Sequence, residues 1–164
     1  LSVFGYPISS EQQVNGFTAQ WLERNRFELH PENNAPYNVL LGLLGVEALA
    51  KKGIKWQTLP TVTVDNTPDG CRFFKETGHS LCSDFKKYWE QNGLRFDPNS
   101  NLVYSYQESL ALFGYPISEP KVETNSSGDQ VLTQWFERAR FELHPNNPEI
   151  FKVELGLLGN ELKP

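Results

Sequence analysis

Few residues of this sequence could do acid–base or nucleophilic chemistry, and they are poorly grouped. Glu76 and His79 stand three apart in Glu76-Thr77-Gly78-His79, a spacing that one turn could close into an acid and a base. Glu137 and Glu142 could act as the paired carboxyls of glycoside hydrolysis, but Glu23 and Glu28 repeat them beside Arg24 and Arg26. A pair that recurs next to Arg138 and Arg140 is read as ion pairing across a hairpin. His30 and His144 both precede proline at matching positions, which points to a structural hydrogen bond. There is no Gly-x-Ser-x-Gly and no His-Glu-x-x-His, so no nucleophile stands in a setting that would activate it. No catalytic residue is expected, and the chain reads as a non-enzyme.

Cys71 and Cys82 are the two cysteines. They are expected to form a disulfide closing a short loop in an oxidising compartment. The alternatives are two buried thiols or, with His79, three ligands of a metal. Neither a metal nor a cofactor is expected.

Binding suits the composition better than catalysis. The chain carries eleven Phe, six Tyr and four Trp. Tyr and Trp offer flat apolar faces with polar tips, and arginine offers a planar donor fork. Tyr6, Trp21, Arg24, Tyr115, Trp135 and Arg138 are the candidate binding residues for a sugar or peptide. Since aliphatics are scarce, at least half of the rings should instead be core. Trp135 and Phe136, adjacent on a strand, should face opposite sides.

These residues are positioned by an internal repeat. Gln134-Trp-Phe-Glu-Arg-Ala-Arg-Phe-Glu-Leu-His-Pro145 matches Gln20-Trp-Leu-Glu-Arg-Asn-Arg-Phe-Glu-Leu-His-Pro31 at ten of twelve positions. Leu1 to Ser9 returns as Leu110 to Ser118, each with a Phe-Gly-Tyr-Pro turn in which Gly permits positive φ. A polar loop follows at Ser10 to Gly16 and, five residues longer, at Glu119 to Thr133. The shared stretch is read as a β-hairpin turning near Arg24-Asn25 and its counterpart, with one continuous strand as the alternative. A buried Leu-Gly strand comes next, at 37–45 and 150–159, whose glycines should allow close backbone packing. Phe85, Tyr88 and Trp89 lie on one face of a short helix that opens at Ser83 and closes at Asn92-Gly93. Leu94 to Tyr106 reads as extended, with one helical turn after it. The expected fold is α+β, mainly β: two related small repeat units built of β-hairpins, with a short helix in the second. Residues 1–50 form unit one, which lacks a front third, 51–70 a linker with one short strand, and 71–164 unit two.

The net charge is −5 with lysine and arginine scattered, which disfavours a nucleic-acid partner. No apolar run reaches the length of a membrane span. The absence of Met reads as a processed chain or a fragment.

Taken in order, Glu76-Thr-Gly-His79, Phe85-x-x-Tyr88-Trp89-x-x-Asn92-Gly93, Glu108 to Ser118, Gln134 to Glu142 and Leu155-Gly-Leu-Leu-Gly159 resemble an uncharacterised repeat of secreted and surface proteins of Chloroflexota-type bacteria. More distantly the layout is similar to the Leu-Gly-Phe-Pro repeats of actinobacterial cell-wall proteins. The resemblance implies a secreted or cell-surface location beside extracellular modules, and no particular activity. The expected function is a non-catalytic extracellular binding or adhesion module whose partner is a cell-wall polysaccharide or another protein chain. The alternatives are a structural subunit of a surface filament or sheath, and an accessory region of a secreted hydrolase or peptidase.

Overall fold

A computed structural model describes residues 2–96 and 103–164. Four strands open the chain: β1 (Gln12–Val14), β2 (Phe17–Trp21), β3 (Arg26–Leu29) and β4 (Val39–Leu41). They form an antiparallel meander in the order β1-β2-β3-β4. Helix α1 (Leu44–Lys51) follows. A hairpin of β5 (Arg72–Phe74) and β6 (His79–Leu81) leads into α2 (Ser83–Gln91) and α3 (Tyr106–Phe113). A second meander holds β7 (Lys121–Thr124), β8 (Gln130–Trp135), β9 (Arg140–Leu143) and β10 (Val153–Leu155), in the order β10-β9-β8-β7. Helix α4 (Leu158–Leu162) ends it. The fold is α+β, mainly β. The two copies of the sequence motif take matching registers: Trp21 faces Arg26 and Phe27 faces Leu41, as Trp135 faces Arg140 and Phe141 faces Leu155.

Several expectations need correction. Ser10 to Gly16 is not all loop: Asn15 and Gly16 both take positive φ, 51° and 87°. An Asn-Gly pair in that conformation makes the tight turn whose twist matches the flanking strands. The Leu-Gly tracts are strands for three residues only. They then enter α1 and α4, whose apolar runs conceal the change of period. Residues 51–70 carry two short 3-10 turns, at Trp56–Thr58 and Val64–Asn66, and no strand. The segment packs on the rest of the chain: Trp56 and Leu59 lie against a core cluster, and the Val62 N–H donates to Gly78 O at 2.9 Å. The helical turn expected after Tyr106 is a full helix. The Ser105 side chain accepts from the Glu108 N–H, and Glu108 accepts from the Ser105 N–H, a reciprocal cap. Ser83 makes no side-chain cap for α2; its other end is closed by Asn92, whose Nδ2 donates to Tyr88 O at 2.8 Å. The extended reading of 94–106 lies partly outside the described residues.

The Phe-Gly-Tyr-Pro turns need glycine for the expected reason. Gly5 and Gly114 take φ of 75° and 74°. A Cβ on either would lie 2.7 or 2.6 Å from the Cβ of Glu23 or Glu137. Each glutamate accepts from the backbone just after the glycine, Tyr6 N–H or Tyr115 N–H, at 3.0 Å.

Two apolar clusters make the core. One gathers Phe74, Phe85, Trp89, Phe113, Phe136 and Phe141, and includes Leu41 from the first meander. The other joins Trp21, Leu44 and Ala48 of the first copy to Ile117, Trp135 and Leu158 of the second. The copies are held backbone to backbone as well. The Gly45 N–H donates to Glu137 O, and the Asn160 N–H donates to Glu23 O, each at 3.1 Å. A Cβ on Gly45 would sit 1.8 Å from Phe136 O, and one on Gly159 would sit 1.7 Å from Leu22 O. Close packing by the Leu-Gly glycines is thus real, and it acts between the copies.

Candidate functional site

The titratable residues of the repeat are spent on structure. Arg140 donates through Nε to Glu142 at 2.9 Å, and through Nη1 and Nη2 to Glu161 at 2.9 and 2.8 Å. Its guanidinium also stacks on Trp135, 5.2 Å from the ring centre. Arg26 does the same with Glu28, Glu47 and Trp21. Burial acts to lower the Arg140 pKa, but the bonds and charges of Glu161 and Glu142 outweigh it and raise it. The pairing is therefore along one strand and out to the following helix, not across the hairpin. Side chains two apart share a face of a strand, which is why Arg140 meets Glu142. Glu137 has different partners: it accepts from the Tyr115 N–H of the glycine turn and lies 3.7 Å from the Arg138 guanidinium.

His79, Ser80 and Glu119 form a compact trio. Glu119 Oε1 lies 3.2 Å from His79 Nδ1 and accepts from the Ser80 N–H at 2.8 Å, while Oε2 accepts from Ser80 Oγ at 2.7 Å. The carboxylate is the hub. A nucleophilic triad instead needs the imidazole between hydroxyl and carboxylate. His79 is buried, and the trio ties β6 to Glu119, just ahead of β7. Burial raises the Glu119 pKa, and the His79 and Ser80 bonds more than offset this, leaving it below the ordinary value. Glu76, the other half of the suggested acid–base pair, lies exposed and takes no part in the trio.

The six candidate binding residues scatter. Trp21 and Trp135 are 3% and 2% exposed and belong to the core between the copies. Both faces of β8 are covered, so Trp135 and Phe136 are each buried and neither offers a surface. Arg138 is mostly buried beside Glu137, and burial lowers its pKa. Tyr115 packs edge-on against Phe74. Tyr6 is 61% exposed. Arg24 lines a concave surface.

That surface is a furrow beside α2 and the edge strand β10. It consists of three adjoining depressions of about 120, 410 and 210 Å³. The first and second share Tyr88, Gln91, Glu149, Ile150 and Val153; the second and third share Arg24, Glu154 and Leu155. Phe151, half exposed, lines the middle with Asn92, and Asn125, Asp129 and His144 line the far end. Two contacts hold α2 to the segment before β10: Lys87 Nζ to Glu149 at 2.6 Å, and Lys152 Nζ to Asp84 at 3.4 Å. Arg24 Nε donates to Leu155 O at 3.2 Å, which blocks that edge carbonyl from pairing with another strand. Burial, with a lesser push from Glu154 against the pull of Arg24, moves the Tyr88 pKa up to about 12. The phenol therefore stays a hydrogen-bond donor at neutral pH. Sequence reading missed Tyr88, Gln91, Asn92 and Phe151. Spacing carried a signal for the first three, since positions i, i+3 and i+4 lie together on a helix. It was masked by the ring pattern of Phe85 and Trp89, which marks the core face.

Cys71 and Cys82 are disulfide-bonded, with Cα atoms 4.4 Å apart. Among the described residues there is no cluster of side chains able to hold a metal, and no helix long and apolar enough to cross a membrane. Asn125-Ser126-Ser127 has the form of a glycosylation sequon, and its Asn125 amide is engaged: Oδ1 accepts from the Ser127 and Asp129 N–H groups, and Nδ2 donates to Glu142. No family model, no curated protein and no solved structure matches this chain.

Proposed function

We propose that this chain is a non-catalytic binding module of a secreted or cell-surface protein, and that its furrow takes an extended polar polymer, a cell-wall glycan. The observation that carries the reading is the continuity of the three depressions past Tyr88, Gln91, Asn92, Arg24 and Phe151. An exposed aromatic ring with convergent amides, a phenol and one guanidinium is the equipment that binds sugar rings. Mixed charge along the furrow, with Lys87 and Lys152 against Asp84, Glu149 and Glu154, fits a neutral ligand better than a polyanion. The disulfide supports an extracytoplasmic setting, and the resemblance noted above points the same way.

The test is a titration of isotope-labelled protein with soluble peptidoglycan fragments, followed by amide NMR. Shifts are expected at residues 88–92 and 149–155. Phe151→Ala and Gln91→Ala should each weaken binding by about tenfold, or about 1.4 kcal/mol. Shifts confined to other surfaces, or wild-type binding by both variants, would refute the furrow as the site.

A further inference from the structure

The two meanders match in strand order and register but differ in cover. Over the second, β5, β6, α2 and α3 close one face: Tyr115 meets Phe74, and Phe141 meets Phe85, Tyr88 and Phe113. Over the first, Phe27 meets a single ring among the described residues, Phe4 at 5.1 Å, and the two lie partly buried against the cluster that holds Leu41. Val153 is 6% exposed, whereas its counterpart Val39 is 43% exposed. Leu29, paired with Val39 across the β3–β4 ladder, is exposed, and so is Tyr6, the counterpart of Tyr115.

The difference reaches the polar groups. Gln134 Nε2 donates to Ser118 O and also to Ser80 O of the covering hairpin, at 2.9 and 2.8 Å. Among the described residues Gln20 Nε2 makes only the first of these bonds, to Ser9 O at 3.0 Å. Trp89 Nε1 of the covering helix donates to Gly114 O at 3.2 Å. The matching carbonyl, Gly5 O, receives no side-chain donor among the described residues. The open face therefore retains the apolar surface, one donor and one acceptor that the cover uses elsewhere in the same molecule.

We propose that this face docks a hairpin-and-two-helix segment of the same build as residues 71–113, brought by a partner polypeptide that carries its own. Exposed apolar surface of this kind marks an interaction site; here it is Leu29, Val39 and Tyr6, flanking the buried Leu41, and the second meander shows what shape covers the same positions. A second copy of this chain is the poorer occupant. Each copy has one such cover and two faces, so lending the cover uncovers as much as it buries.

The test uses the whole chain with residues 68–109 duplicated ahead of Leu1, a splice that follows the match of Leu110 to Leu1. Tyr6 nitration, read by peptide mass spectrometry, should slow by about tenfold or more relative to the parent, and amide exchange at 27–29 and 39–41 should slow with it. Val39→Lys should leave the parent's stability unchanged, because the side chain is exposed there, and should abolish the protection in the extended chain. Three results would overturn the proposal. The added segment forms its disulfide while Tyr6 reacts at the parent rate; or it stays unfolded on a face that should template it; or the parent sediments as a dimer with Tyr6 protected, making a second copy the occupant.

Discussion

At the scale of residues, the repeated Gln-Trp-x-Glu-Arg-x-Arg-Phe-Glu stretch is a set of structural instructions. Its tryptophan and second arginine stack, its last glutamate fixes that arginine, and its first glutamate holds the glycine turn. Arg140 is nearly buried with Glu142, so removing it strands a carboxylate. Arg140→Ala should cost about 3–5 kcal/mol, the range for breaking a buried pair. Arg140→Lys should recover only part, because an ammonium cannot bridge both oxygens of Glu161 in parallel. Urea unfolding of both variants checks the order. Glu119 sets an acid limit. Its folded pKa is depressed, so its stabilisation is complete above the ordinary glutamate range and is lost as pH falls through the depressed value. Glu119→Gln should lower stability at neutral pH by about 1–2 kcal/mol and flatten the loss below about pH 4, where the unfolded carboxyl protonates. A parallel acid limb in wild type and variant would exclude this role.

At the scale of elements, the hairpin β5–β6 with α2 depends on one covalent link. The disulfide closes a short loop, with a sequence separation of 11. Replacing both cysteines by serine should destabilise the protein by roughly 2–3 kcal/mol through the freed entropy of the unfolded loop, measured as a lower urea midpoint. This link was readable from spacing and cysteine count, as were the α+β class, α2 and the hairpin of the shared motif. What could not be read has local causes. Helices α1 and α4 continue apolar strands without polar punctuation, so period cannot separate them. The Asn15-Gly16 turn sat in a stretch whose polarity suggested loop, although the dipeptide itself is a hairpin signal. The furrow escaped because it is assembled from α2, the 149–155 segment and Arg24 of the other copy; no short window of sequence contains it. Its candidate ring residues in the repeat are mostly buried, since a chain poor in aliphatics uses rings for its core.

At the scale of the whole molecule, the copies share their core and are expected to unfold as one cooperative body. Leu41 lies in the cluster of the second meander, and Trp21 with Trp135 in the cluster between the copies. Tryptophan fluorescence, to which Trp21 and Trp135 contribute, and far-ultraviolet circular dichroism should report the same unfolding transition. The junction rests on two reciprocal contacts, Gly45 on Phe136 O and Gly159 on Leu22 O. Gly45→Ala puts a methyl where a backbone oxygen stands, and no rotamer change can relieve that. The α1 end must lift from the turn, at a cost of about 3 kcal/mol, the upper part of the overpacking range. Gly159→Ala should cost a similar amount at the other contact. Because α1 packs on α4, lifting one helix loosens the seat of the other. The double variant should therefore lose less than the sum of the singles, by about 0.5 kcal/mol or more. Additive losses would mean that the contacts are independent, and two separated transitions in the double variant would mean that each copy folds alone.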